Sequence, residues 1–244
     1  MVRFILLAMF PLGAAAAFAS AAGYAEDLFP TSKGDLKITC IGHGTLMLTF
    51  NGKVIHVDPV GQFGDYAVLP KADLILITHE HDDHLDPAAI AKIRKPSTAI
   101  FMSAKCGEKI KDGVVLKNGD ERTWESIAIK AVPAYNIVHM RAPGSPFHPK
   151  GEGNGYVLTF GDKRLYIAGD TENIPEMAAL KGVDIAFLPM NLPYTMTPAM
   201  AAAAARMLAP KVLYPYHYGD TDTAKLVELL KGEKGIEVRI RALR

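Results

Sequence analysis

The sequence predicts an α/β (α+β) protein: two mixed sheets packed together and flanked by helices. Three observations carry that reading. Beyond an N-terminal leader, the chain opens with short apolar runs, two of them joined by a hairpin signal. From Asp73 onward, such runs alternate with helical segments. The roughly 220 residues left once the leader is set aside suffice for one domain with a substantial core and are tight for two.

Residues 1–22 read as a secretory signal peptide. Arg3 supplies the positive start, Phe4 to Phe18 an apolar, Ala-rich stretch, and Ala17-Phe18-Ala19 a small-x-small cleavage site. The apolar stretch is short for a bilayer span of about 20 residues, so cleavage is favoured over a retained anchor. The expected mature chain is one domain, residues 23–244, periplasmic or secreted, with no stable membrane insertion.

The elements follow in order. Leu36–Ile41, Leu46–Phe50 and Val54–Asp58 read as strands, with Asn51-Gly52 as a two-residue turn between the last two. Asp73–Thr78 is an apolar run of strand length, suited to burial on both faces. Asp86-Pro87 opens a helix, Asp86 as N-cap and Pro87 in the first helical position. Thr98–Met102 is a strand followed by a short helix, and Ser126–Ala131 alternates apolar and polar residues. Tyr156–Phe160 and Arg164–Ala168 form a hairpin around Gly161-Asp162. Asp184–Leu188 and Val212–Tyr214 are short strands separated by a helix from Pro198 to about Leu208. A helix at Asp222–Leu230 and a strand at Ile236–Ile240 close the chain. Pro133 to Asn154, rich in Gly and Pro, fits none of these and is expected to be a structureless binding loop.

The 27 basic and 26 acidic residues leave a net charge of +1 with no basic stripe, which excludes nucleic acid as a partner. Cys40 and Cys106 are too few for a disulfide framework. Cys40 reads as a small core residue, with a bond to Cys106 as the alternative.

The chemistry is concentrated in Thr78-His79-Glu80-His81-Asp82-Asp83-His84. Three imidazoles and acidic side chains this close together are costly to bury unless something positive sits among them. His79 and His81, two residues apart, point to one side of an extended backbone, while Asp83 and His84 lie in the following turn and aim at a neighbouring point. Two ligand sets a few ångströms apart suit a two-metal site. The donor mix suits zinc, with manganese or iron as alternatives.

This His-x-His-x-Asp-His run resembles the signature of the metallo-β-lactamase superfamily. Tyr166-Ile167-Ala168-Gly169-Asp170-Thr171, Leu188-Pro189-Met190 with Tyr194-Thr195-Met196, and Pro215-Tyr216-His217-Tyr218-Gly219 extend the resemblance. In order and spacing they are similar to a branch of metal-dependent hydrolases related to the ascorbate-6-phosphate lactonase group. The resemblance implies an αββα sandwich and two divalent metal ions, with Asp170 bridging both and His217 joining Asp83 and His84 at the second. Many relatives carry a histidine just after the strand equivalent to Ser126–Ala131, where this chain reads Pro133-Ala134-Tyr135-Asn136. His148 is favoured as the third ligand of the first metal, with His139 and Asn136 as alternatives. Asp58 is expected to orient a ligating histidine, whereas His43, Tyr194 and Thr195 read equally as site or structural residues and His56 as structural.

The expected reaction is hydrolysis of a small-molecule ester, lactone or phosphodiester-like bond by a metal-bridging hydroxide, with Asp83 as proton acceptor. A β-lactamase proper and a metal-binding or redox protein on the same fold are the competing readings. Neither substrate nor oligomeric state follows from the sequence.

Overall fold

Four consecutive apolar residues, Leu74 to Ile77, show how the chain builds its layers. All are fully buried, because side chains alternate across a strand and both faces are covered. Leu74 and Leu76 point into a cluster shared with a second sheet, while Ile75 and Ile77 point outward against Ala89, Ile90 and Ile93.

The computed structural model describes residues 23–244 and the backbone of 18–19. Apart from Phe18 and Ala19, the signal-peptide reading of residues 1–22 lies outside the described residues. One sheet takes eight strands in chain order: β1 (Phe18–Ala19), β2 (Ala25–Thr31), β3 (Gly34–Gly42), β4 (Thr45–Phe50), β5 (Lys53–Val57), β6 (Leu74–Ile77), β7 (Ala99–Met102) and β8 (Val114–Val115). The other joins β9 (Glu121–Trp124), β10 (Ile127–Ala134), β13 (Gly153–Phe160), β14 (Lys163–Ile167), β15 (Ile185–Pro189), β16 (Val212–Tyr216) and β17 (Glu237–Val238), side by side in that order. A small hairpin, β11 (Met140–Ala142) with β12 (Ser145–Pro146), stands apart. Both large sheets are mixed: pairing is antiparallel from β1 to β5 and parallel from β5 to β8. It is antiparallel from β9 to β14 and parallel from β14 to β17.

The second sheet alternates as the first does. Tyr156, Leu158, Phe160, Leu165, Ile167, Ile185 and Phe187 enter the central core, and Val157, Tyr166, Ala186 and Leu188 face the opposite way. Helix α1 (Pro87–Ile93) covers the first sheet, and α2 (Pro198–Leu208) with α3 (Thr223–Leu230) covers the second. The result is the αββα sandwich. Its helices begin where their caps dictate: Asp86, Thr197 and Asp222 accept from the backbone N–H of Ala88, Met200 and Ala224. No helix among the described residues is long and apolar enough to cross a membrane.

Two expectations are corrected. The Pro133–Asn154 stretch is not structureless: β10 runs on to Ala134, β13 starts at Gly153, and the β11–β12 hairpin lies between. The closing strand shrinks from Ile236–Ile240 to Glu237–Val238, which pair only with Val212 and Leu213. Cys40 is the small core residue expected; it and Cys106 are free and buried in separate cores on opposite faces of the first sheet, so the alternative bond does not form.

Candidate metal centre

The parallel strands of both sheets end at the same edge of the sandwich, and the polar residues sit just past those ends. Asp58 follows β5, His79 to His84 follow β6, Asp170 follows β14 and His217 follows β16. His43, after β3, joins them. Rigid strands thus hold the side chains, while the turns supply the close approach. Asp58, His217 and His43 all take left-handed backbone conformations, with φ of 45°, 46° and 52°. Non-glycine residues adopt that region at a cost, and such strain collects at functional sites.

Asp170 lies at the centre. One of its oxygens is 3.2 Å from His148 Nε2, 3.4 Å from His217 Nε2 and 3.9 Å from His79 Nε2. The other is 3.4 Å from His84 Nε2. Two donor sets flank it: His79, His81 and His148 on one side, and His43, Asp83, His84 and His217 on the other. Within each set the donor atoms lie within 4.8 Å of one another. Asp83 reaches His43 Nε2 at 3.2 Å and His217 Nε2 at 3.4 Å.

These atoms fit metal ions on a structural criterion. His84 Nε2, Asp170 Oδ1 and both ring nitrogens of His217 are buried without a hydrogen-bond partner among the described residues. Orphaned buried polar atoms are rare and costly; a cation facing them would satisfy the set. The shifts in pKa run in both directions. Burial opposes the charge on His84, yet Asp170 and Asp58 push its pKa well above the ordinary value. Burial, reinforced by neighbouring His84, pushes His79 well below its ordinary pKa, and burial with His148 beside it lowers His81. Both shifts favour the neutral ring, the form that ligates. Burial opposes the charge on Asp170, yet His217 and His84 hold its carboxyl well below the usual range. Burial likewise opposes the charge on Asp83, but the neighbouring imidazoles of His217 and His43 prevail and hold its carboxyl well below the usual range.

A second ring of residues fixes the donors. His84 Nδ1–H donates to Asp58 at 2.8 Å, as the sequence suggested, and the backbone N–H and hydroxyl of Thr78 donate to the same carboxylate. His148 Nδ1–H donates to Asn136 Oδ1 at 2.6 Å, and Asn136 in turn donates to Glu172 and to the Tyr194 carbonyl. Thus the structure brings His148 into the first set and Asn136 behind it. His139 sits apart with its Nδ1 2.6 Å from Glu172. His43, undecided from sequence, stands in the second set; Tyr194 lines the cleft, and Thr195 is buried, bonded to the backbone of Asn191. His56 is structural, bonded to the Pro70 carbonyl. Sequence reasoning missed Glu172, a fully buried carboxylate that accepts the backbone N–H groups of Ile137, Val138 and His139. Its one signal was its place two residues after Asp170.

Comparison with known proteins agrees with this geometry. Residues 37–217 match the β-lactamase superfamily domain. The chain belongs to that superfamily and is an enzyme of the metal-dependent hydrolase class. It is 36% identical over 220 residues to a UPF0173 metal-dependent hydrolase of Koribacter versatilis, covering 83% of this chain and 92% of the relative. A crystal structure of a protein described as a metal-dependent hydrolase from Parabacteroides distasonis is 54% identical, with TM-score 0.87, covering 91% of this chain and all of that one. A metallo hydrolase from Ignicoccus hospitalis, 24% identical with TM-score 0.70, covers 84% of this chain and 94% of its own and shares the fold.

Proposed function

We propose that this protein is an exported binuclear hydrolase that cleaves a small ester, lactone or phosphodiester-like bond with water. The observation that carries the reading is the meeting of two donor sets at Asp170, beneath an open cleft of about 420 Å³. His79, His81 and His148 would hold one divalent cation, and Asp83, His84 and His217 the other, with Asp170 between them. Zinc suits these donors, and manganese or iron are the alternatives. When bound, the cations supply Lewis acidity, acidifying water and offsetting negative charge on the attacked group.

The chain's own residues do the rest. Asp83, 42% exposed at its side chain, faces the cleft and accepts the hydrogen bond of the attacking water. His217 and His43 beside it hold its carboxyl well below the usual range and aim it. Asp58 and Asn136 hold His84 and His148 in orientation. Buried walls exclude bulk water from Asp170. Export rests on the leader-like residues 1–22.

The test begins with metal content of the mature protein, wild type beside His148→Ala. Two ions in the wild type and about one in the variant are expected; none in either, after zinc or manganese is supplied, would overturn the reading. Turnover of aryl esters, lactones and an aryl phosphodiester then identifies the bond, and Asp83→Asn should lower kcat/KM by roughly 10²- to 10⁴-fold. Turnover of a chromogenic cephalosporin in preference to all of these would instead make it a β-lactamase.

A further inference from the structure

The small β11–β12 hairpin overhangs the cleft and carries Arg141. Arg94, Arg206, Arg239, Arg241 and Arg244 each pair with a carboxylate; among the described residues Arg122, Arg141 and Arg164 pair with none, and of these Arg141 is the one that lines the cleft. Its guanidinium lies over the Phe147 ring, 5.7 Å from the centroid, and Phe147 meets Tyr194 edge-on at 5.1 Å. Stacking occupies the guanidinium's face and leaves its N–H edge free for a two-point contact with an oxyanion. The acidic residues of the cleft are already engaged: Asp82 with Lys109, Asp83 and Asp170 with the imidazoles. Tyr194 itself is 45% exposed, so the aromatic pair offers an apolar surface to the cleft.

We propose that Arg141 selects substrates that carry an oxyanion, carboxylate or phosphate, beside an apolar group. The anion lies along the free edge of Arg141 and the apolar group against Phe147 and Tyr194. This names the substrate class for the hydrolase reading above and rests on it, but the binding preference itself needs no turnover.

The test is calorimetry on the zinc-loaded protein with 4-phenylbutyrate, phenylphosphonate, acetate and neutral 4-phenylbutanol. Wild type should bind at least one of the two aryl anions about 10-fold tighter than the alcohol, the size expected of hydrogen bonds to a charged group. Whichever anion is preferred tells carboxylate from phosphate. In Arg141→Gln the preference should shrink to within about threefold, with Arg141→Lys keeping part of it. Arg141 is exposed, so a thermal melt should show both variants folded. An equal anion preference in Arg141→Gln, or none in wild type, overturns the proposal. Acetate binding as tightly as 4-phenylbutyrate overturns its apolar half. If anion binding depends on Arg141 while no ester, lactone or phosphodiester is turned over, the hydrolase reading fails and the binding assignment stands.

Discussion

Single side chains here act mostly by holding other side chains. Asn136 shows this best: it is a neutral link between His148 and the buried charge of Glu172. Asn136→Leu keeps the volume and removes the link. Residues that orient a metal ligand typically contribute 10- to 100-fold in affinity, so zinc affinity should fall by about that much, read by competition with a chromogenic chelator. Gly44 works by absence. A Cβ there would stand 2.7 Å from His84 Cε1, and that ring is pinned from behind by Asp58. Gly44→Ala should therefore displace His84 and weaken metal binding while leaving the fold intact, as checked by metal content and circular dichroism. His56 acts on stability rather than chemistry. Burial pushes its pKa down to about 4 from 6.5, so the folded state holds it neutral while the unfolded state protonates it first. Stability is then complete above pH 6.5 and is lost as pH falls toward 4, by on the order of 3 kcal/mol. His56→Gln should flatten that part of the pH–stability curve in urea titrations; an unchanged slope would assign it to other groups.

At the scale of elements, Glu172 governs one whole loop. It collects three consecutive backbone N–H groups from residues 137 to 139 and so sets the path by which His148 returns to the centre. Burial opposes its charge, and those three N–H groups with His139 hold its carboxyl below the usual range. Glu172→Ala would leave the donors without their acceptor, at about 1–3 kcal/mol each where they stay buried. Hydrogen exchange should quicken at Ile137, Val138 and His139 ahead of the rest of the sheet. Other elements differ in how clearly the sequence announces them. Helix α2, the β4–β5 hairpin and the β13–β14 hairpin have their own caps and Gly turns, and each forms close to where local signals place it. Strands β2 and β9 were missed because Pro30 in one and Glu121-Arg122-Thr123 in the other disguise them, and pairing to β3 and β10 decides the matter instead. The histidine run was legible because its donors are contiguous. Asp170 and His217 lie far from it in the chain and were placed by resemblance, while the Glu172–Asn136–His148 chain exists only once the loop folds back.

Across the whole molecule, the donors are divided between the two halves of the sandwich. His79, His81 and His84 follow a strand of the first sheet, whereas His148, Asp170 and His217 belong to the second. A cation held by donors from both sheets would tie them together at one edge of the sandwich. Such a cation would face His84 Nε2, Asp170 Oδ1 and the His217 nitrogens, which are buried without a hydrogen-bond partner among the described residues. Metal should therefore stabilise the global fold rather than only its loops. Mass action sets the size: about 2.7 kcal/mol for each site at free metal 100-fold above its Kd. For a domain of this length, that corresponds to a rise in Tm of roughly 5–10 °C per site. Calorimetric scans of zinc-loaded and chelator-treated protein measure it directly. The expected outcome is one cooperative transition in both, shifted upward in the loaded protein, with about half the shift surviving in His148→Ala. A shift absent from the loaded protein, or confined to a separate minor transition, would mean that the metal orders the edge loops without joining the sheets.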